Sequence, residues 1–265
     1  MTVLSVTDHD TVAAADAAED ACRGHGMRFV AGIEVTAIRS ETDVHILGYF
    51  IDRHSASLRA FLDAQRAERI ARVRRMIDRL ADLGIRLDAD AILAPAIDDP
   101  QKSVGRPWIA RALVAAGHAA DTNDAFGRWL QRGKPAFVPR AGAPPAEVVS
   151  RIHAAGGVAS LAHPALVGRD EWIAELKSAG LDAVEAYHSK HDEADTARYL
   201  SMAQTLGLAV TGGSDFHADE AHGPLSPGSV VLPRDCFERL EALARDQRER
   251  RPTSRASASG SGTSS

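Results

Sequence analysis

The chain has 265 residues, of which 45% are hydrophobic and 25% charged, values that allow one large globular domain with a sizeable core. Its formal net charge of −5 gives no general attraction to an acidic membrane or a large nucleic-acid duplex. The chain has two cysteines without metal-type spacing, no signal peptide at Met1 and no long apolar run. These features indicate a cytoplasmic protein that does not span a membrane.

The first half of the chain predicts a few strands followed by a long helical region. Residues 3–6, 28–33 and 44–49 predict strands, and residues 11–23 predict a helix. From residue 55, apolar residues recur at three- and four-residue steps, which predicts one long helix or two joined helices ended by Gly84. Further helices are predicted at 107–116 and from Asp121 or Thr122 to about Leu130. We interpret residues 55–140 as a helical insertion.

Strands and helices alternate again after the insertion. Helices are predicted at 147–155, 170–178, 192–206 and 237–243, and strands at 157–162, 181–187, 208–212 and 230–232. This alternation predicts an α/β fold of parallel strands joined by crossover helices, as a barrel or an open sheet. The predicted α/β domain is therefore discontinuous, covering residues 1–54 and 141–250, and a Ser/Gly/Ala-rich tail at 251–265 is expected to be disordered.

Residue types that bind metals stand at or beside the predicted strand ends. The set comprises His9, Glu34, His45, His163, Asp215 and His217. Asp215 and His217 are two residues apart, so on an extended chain they face the same side and can bind one ion. Sites in parallel α/β folds form at the carboxyl ends of strands, and imidazole with carboxylate suits Zn, Mn or Fe. One histidine near a strand is usually structural, but this many ligand types at consecutive strand ends indicate a metal site.

Other candidate site residues flank this set. Glu185 and His188 lie near the end of the strand at 181–187, either as substrate contacts or as an ordinary polar rim. Arg106 stands at a helix start, where backbone N–H groups and a guanidinium can together hold a phosphate. Lys134 and Arg140 flank the segment that returns to the main domain. The arginines of the long helix are interpreted as a solvated helix face: Arg66, Arg69, Arg72, Arg74, Arg75 and Arg79.

Motifs along the chain resemble the PHP (polymerase and histidinol phosphatase) superfamily. In order they are Thr7-Asp8-His9-Asp10-Thr11, Gly32-Ile33-Glu34-Val35-Thr36, Val44-His45-Ile46-Leu47-Gly48-Tyr49, Ala162-His163-Pro164 and Gly213-Ser214-Asp215-Phe216-His217. Gly105-Arg106-Pro107 and Gly133-Lys134-Pro135-Ala136 place the chain near the TrpH-like branch. The resemblance implies a distorted seven-stranded (β/α) barrel with a helical insertion. It also implies two or three divalent ions, manganese before magnesium, zinc or iron, with the six residues above as ligands and Glu34 as the bridge.

The resemblance implies a metal-dependent phosphoesterase acting on a small nucleotide or a short oligonucleotide. Characterised members of this branch remove the 3′-phosphate of nucleoside 3′,5′-bisphosphates or degrade short RNA from the 5′ end. In the hypothesised mechanism a metal-activated hydroxide attacks phosphorus, Arg106 offsets charge, and His217 or His188 protonates the leaving oxygen. Trp108 replaces the histidine that usually follows Arg-Pro; it cannot bind a metal but can stack on a base. The sequence does not indicate an oligomeric state.

The resemblance also implies a preceding strand with a His-x-His pair and a following Asp, which this sequence does not contain. The first barrel strand and three ligands are therefore expected to be missing. Two interpretations follow: the chain is a catalytically impaired domain that acts as a binding or structural module, or Met1 is not the true start. The presence of all the later ligand positions favours the enzyme, since unused ligands have no physical reason to persist together.

Overall fold

The computed structural model describes residues 1–99, 104–217 and 226–250. The strands are β1 (Val3–Val6), β2 (Arg28–Arg39), β3 (Thr42–Tyr49), β4 (Val158–Leu161), β5 (Ala183–His188) and β6 (Ala209–Gly213). The helices are α1 (Ala15–Gly24), α2 (Ala56–Asp82), α3 (Ala89–Asp98), α4 (Arg106–Ala115), α5 (Thr122–Ala125), α6 (Pro145–Ala154), α7 (Pro164–Val167), α8 (Glu171–Ser178), α9 (Glu193–Leu206) and α10 (Arg234–Arg250). A π-helical turn at Phe126–Leu130 continues α5. In the described part of the chain, no helix is long and apolar enough to cross a membrane.

The strands form one sheet in the order β1-β2-β3-β4-β5-β6, curled into a half-barrel. This confirms the predicted α/β barrel class. β1 and β2 pair in parallel, as do β4, β5 and β6, but β3 is antiparallel to both of its neighbours. The prediction of parallel strands is therefore wrong for β3. The reason is local: Arg39 pairs with Thr42, so the loop is too short for a crossover helix. Ser40 and Glu41 both have positive φ, 48° and 62°, as tight hairpins require.

One further predicted strand is absent. Residues 230–232 are not a strand, and the segment runs directly into α10. Val231 is 62% exposed, and Pro233 lacks the N–H that a strand needs for pairing. The short apolar run thus stays outside the sheet and ends at a residue that cannot donate to a strand ladder. The long helix is one continuous helix, α2, capped by the Ser55 side chain.

Each face of the sheet has its own hydrophobic cluster. On one face Ile33, Ile46 and Val184 pack with α6, α8 and α9. On the opposite face Val158 and Ala183 belong to a cluster with residues of α10. Side chains alternate between the two faces along a strand, and the buried polar residues Glu34, Ser160 and Glu185 alternate with apolar residues of the first face. The polar site described below stands on the second face.

A separate hydrophobic cluster lies between residues 73 and 138. Helix α2 joins the two regions: Leu58 and Phe61 pack in the sheet cluster, and Met76 and Leu80 pack in the second one. The insertion at 55–140, with the remaining domain at 1–54 and 141–250, stays a prediction. The expected disordered tail at 251–265 lies outside the described residues.

Candidate metal centre and anion cavity

The first three strands bring His9, Glu34 and His45 together. His9 forms an isolated parallel bridge with Glu34, and the Asp10 N–H donates to the Glu34 carbonyl at 2.8 Å. Thr36 pairs with His45 across the hairpin, so Glu34 and His45 point to the same face. One ligand atom from each of the three residues lies within 4.8 Å of the others.

The positions of two of these residues differ from the sequence prediction. Glu34 does not follow a strand, because β2 continues to Arg39. His45 stands near the beginning of β3, not its end. Since β3 runs antiparallel, its beginning lies beside the last part of β2. The reversed strand therefore brings His45 to the same edge as the residues that follow parallel strands.

His163 completes the first half of the cluster. Glu34 Oε1 lies 2.7 Å from His45 Nδ1 and 3.2 Å from His163 Nε2, and these two ring nitrogens are 3.2 Å apart. Glu34 Oε2 lies 3.6 Å from His9 Nδ1. His163 has φ of 29°, and its backbone N–H donates to Glu185 Oε2 at 2.8 Å. This strained backbone at the end of β4 turns the His163 ring toward Glu34.

The second half of the cluster follows β5 and β6. Asp215 Oδ2 lies 3.4 Å from His188 Nε2, and Asp215 Oδ1 lies 3.4 Å from His217 Nδ1. Ring centroids are 5.7 Å apart for His9 and His217, and 5.5 Å apart for His163 and His188. The structure therefore brings all the predicted ligand residues into one contiguous cluster.

The electrostatics of the cluster suit a cation. Burial raises the pKa of Glu34, but hydrogen bonds from His163 and His45 outweigh it, so the pKa lies well below its ordinary value. Burial also opposes ionisation of Asp215, and contacts with His188 and His217 again lower the pKa overall. Burial lowers the pKa of His9. The cluster thus offers ionised carboxylates beside the neutral imidazole of His9, the forms that bind metals. At His163 burial is outweighed by the contact with Glu34, which raises the pKa of that ring in the absence of a metal.

The unsatisfied atoms of the cluster fit a divalent ion. His9 Nδ1 and His163 Nδ1 are buried without hydrogen-bond partners, whereas buried polar atoms are normally paired. His217 Nδ1 donates to the Asp215 carbonyl at 2.9 Å, which leaves Nε2 as its lone-pair nitrogen. Metal-binding histidines commonly donate their other N–H to a carbonyl in this way. The donor set of imidazole and carboxylate matches Mn, Zn or Fe.

In His188 the proton and the lone pair are on the opposite nitrogens from those in His217. The Lys190 backbone N–H donates to His188 Nδ1 at 3.1 Å, and a backbone N–H can only donate. His188 Nδ1 therefore carries the lone pair, and the neutral ring carries its proton on Nε2. Since Nε2 is buried and faces Asp215, the geometry makes His188 a hydrogen-bond donor beside the predicted ligands.

A cavity of about 660 Å³ opens beside the β2–β3 hairpin. Its charged and aromatic lining is Glu41, Asp43, Arg69, Arg72, Arg106, Trp108, Arg132, Phe137 and Arg140. The predicted substrate residues Arg106, Trp108 and Arg140 thus meet in one place. Lys134 is exposed and is not part of this lining, and Glu185 is 4% exposed, buried beneath His163 and not on a polar rim. Burial raises the pKa of Glu185 to about 7.

The solvated-face interpretation of the α2 arginines is wrong for Arg69 and Arg72. Arg72 is 8% exposed, and its Nε donates to the Val138 carbonyl at 2.8 Å. Burial and the nearby Arg106 and Arg140 lower the pKa of Arg72 to about 10. Arg69 donates to the carboxylate of Asp10. The sequence pattern could have indicated this burial. Helical spacing puts Arg69 and Arg72 on the same face of α2 as the buried residues Val73, Met76 and Leu80.

Comparisons with known proteins agree with this geometry. No protein-family model matches the sequence. The chain is 34% identical over 249 residues to a 3′,5′-nucleoside bisphosphate phosphatase of Chromobacterium violaceum, covering 91% of this chain and 86% of the relative. It is 33% identical over 220 residues to a 5′-3′ exoribonuclease of Haemophilus influenzae, covering 81% of this chain and 79% of the relative. A solved structure from Bifidobacterium adolescentis, assigned as a metal-dependent phosphoesterase, matches with a TM-score of 0.74 and 30% identity over 91% of this chain and 86% of that one.

A half-barrel with a histidine–carboxylate cluster beside an arginine-lined cavity defines a metal-dependent phosphoesterase. The relatives are phosphoric ester hydrolases of the same kind. The chain belongs to this PHP-type family of metal-dependent phosphoesterases. The predicted superfamily and enzyme class are confirmed, and the alternative of a catalytically impaired module is not favoured.

Proposed function

We propose that the protein hydrolyses a phosphate ester of a small nucleotide. The substrate is a nucleoside 3′,5′-bisphosphate that loses its 3′-phosphate, or short RNA degraded from its 5′ end. The observation that carries this proposal is the closeness of the metal cluster and the arginine cavity. Asp43 lines the cavity and stands two residues before His45 on the same face of β3, about 7 Å along the strand. Two phosphates of one nucleotide can therefore be held side by side.

The cluster would hold two or three divalent ions, manganese first and magnesium, zinc or iron as alternatives. The residues that would hold them are His9, Glu34, His45, His163, Asp215 and His217. When bound, such ions supply a nucleophile from water at neutral pH and offset charge on the phosphoryl oxygens. Buried carboxylates grouped with imidazoles support this proposal, since buried charges in proteins are paired or coordinate metals.

The chain's own residues bind and orient the substrate. Arg72, Arg106 and Arg140 hold the second phosphate, because guanidinium groups bind phosphate oxygens with charge-assisted hydrogen bonds. Trp108 supplies an aromatic face for the base. His188 keeps its single proton on Nε2 because Lys190 donates to Nδ1, so it would stabilise the leaving oxygen as a hydrogen-bond donor and not transfer the proton. His217, the other predicted acid, directs a lone pair from Nε2 and is better suited as a ligand. Lys134 remains a predicted substrate contact at the exposed rim.

The experiment is phosphate release from adenosine 3′,5′-bisphosphate with and without manganese, comparing the parent chain with Asp215→Ala. We expect manganese-dependent release by the parent and its loss in the variant. Asp63→Ala, which changes an exposed residue of α2, is the matched control and should keep full activity. Equal rates for the parent and Asp215→Ala would remove the metal-binding role of Asp215.

Metal analysis of the purified chain tests the impaired-module alternative separately. Less than one bound ion per chain would support that alternative. The substrates we propose are small nucleotides or short oligonucleotides, with no membrane and no large duplex as partner. We also propose a cytoplasmic location, supported by Cys22 and Cys236, which are both free thiols.

A further inference from the structure

The β2–β3 hairpin places two carboxylates in the arginine-lined cavity. Asp43 Oδ2 accepts a hydrogen bond from Arg140 Nη1 at 2.7 Å. Glu41 Oε2 lies 3.0 Å from Arg132 Nη1. A carboxylate binds a guanidinium with the same fork geometry as a phosphate does. A cavity suited to an anion thus already contains two anionic side chains of the protein itself.

The two carboxylates are held differently. Asp43 belongs to β3 and pairs with Ile38 in the ladder, so its backbone position is fixed. Glu41 lies in the hairpin loop, and both members of its ion pair are more than half exposed, at 57% and 59%. In the Asp43–Arg140 pair, Arg140 is only 21% exposed. Exposed ion pairs contribute little, so Asp43 has the stronger influence on the cavity.

The arginines of the cavity are not all neutralised by these carboxylates. In the residues that the structure describes, Arg72 and Arg106 form no ion pair with a carboxylate. The negative charge of Asp43 opposes the lowering of the pKa of Arg72 and, after Asp10, that of Arg69. Asp43 therefore acts on several arginines at once, and its ion pair is with Arg140.

We propose that Asp43 is a resident counter-ion of the phosphate cavity, which releases Arg140 to the incoming phosphate and weakens the binding of that phosphate. The inference rests on the proposed function, in which the cavity holds the second phosphate. Its consequence is a limit on the affinity for phosphorylated products, so that they leave the site. The competing idea is that Asp43 positions Arg140 for the phosphate. Removing the charge of Asp43 should tighten phosphate binding if Asp43 is a counter-ion and weaken it if Asp43 positions Arg140.

The test is the dissociation constant of inorganic phosphate, measured by calorimetry on the full chain in the presence of a chelator. We expect Asp43→Asn to bind phosphate roughly three- to tenfold more tightly, since one unit charge at about 4 Å in water corresponds to ~1 kcal/mol. Glu41→Gln should tighten binding less, because its ion pair is more exposed. Glu147→Gln removes a comparable ion pair with Arg151 on α6 and should leave the affinity unchanged.

Weaker or unchanged phosphate binding by Asp43→Asn would overturn the inference, as would a parent chain that binds no phosphate. Asp43→Ser is the second variant and should shift the affinity in the same direction. The proposed function is read separately from nucleotide hydrolysis. Tighter phosphate binding by Asp43→Asn without any hydrolysis would sink the proposed function alone. Retained hydrolysis with an unchanged phosphate affinity would sink this inference alone.

Discussion

Replacing Arg106 by glutamine tests the arginine cavity most directly. The Arg106 side chain lines the cavity at the start of α4, and its guanidinium lies 5.7 Å from the Phe126 ring centroid. A hydrogen bond to a charged group contributes about 1.5–3 kcal/mol. The lower end applies here, because Arg72 and Arg140 remain in the cavity to hold the phosphate. We therefore expect KM for a nucleoside 3′,5′-bisphosphate to rise about tenfold, with kcat nearly unchanged.

The assay compares two substrates in initial-rate measurements of phosphate release. Adenosine 3′,5′-bisphosphate carries the second phosphate and adenosine 3′-monophosphate lacks it, so only the first should respond to Arg106→Gln. Arg111→Gln, on an exposed position of the same helix, is the matched control. The free energy of unfolding should not fall in Arg106→Gln. Arg106 is the foremost neighbouring charge that lowers the pKa of Arg72, so its removal relieves a repulsion between two cations. Equal losses on both substrates, or a fall in kcat alone, would refute the assignment of Arg106 to the second phosphate.

Three further predictions concern the hydrogen-bond donor His188, the metal and the core. His188→Phe should lower kcat by about 10²–10³-fold while bound metal is retained, and loss of metal on elemental analysis would contradict its role as a hydrogen-bond donor. Chelation should lower the thermal unfolding midpoint, since an ion at 100 times its Kd contributes about 2.7 kcal/mol; an unchanged midpoint would argue against a folded-state metal site. Gly157→Ala should reduce the free energy of unfolding in urea by about 1–3 kcal/mol, because the new Cβ would lie 2.5 Å from Ile51 Cγ2 and 2.9 Å from the Tyr49 carbonyl. Gly24→Ala, with nothing within 4 Å of its Cβ, is the control, and equal effects would contradict the packing argument.

The clustering of these side chains was predictable because its signals are local, and their role as metal ligands stays a prediction. Asp215 and His217 are two residues apart just after β6, and His163 stands two residues after the end of β4. The topology of an α/β sheet then brings such positions to one edge without any knowledge of side-chain packing. Glu34 and His45 were also identified, although for a partly mistaken reason, because β3 runs antiparallel and Glu34 lies inside β2.

Features that depend on contacts between distant segments were not predictable in this way. The burial of Arg72 depends on the Val138 carbonyl, which is 66 residues away in the chain. Its helical position on an apolar face was visible, but which segment covers that face was not. The proton position on His188 depends on the fold of the turn to Lys190, which periodicity does not indicate. Hydropathy likewise could not show that residues 230–232 stay outside the sheet.

Asp10 links the metal cluster to the arginine cavity. It has φ of 56° and directly follows His9. Its Oδ1 accepts from the Thr36 backbone N–H at 2.9 Å, and its carboxylate also accepts from Arg69 of α2. One carboxylate therefore ties the loop after β1, the hairpin and the arginine-bearing helix together. The β2–β3 hairpin carries Glu34 and His45 of the cluster and Asp43 of the cavity. One hairpin therefore positions residues of both sites. In the proposed function, the spacing of the two phosphates would therefore follow the register of β2 and β3.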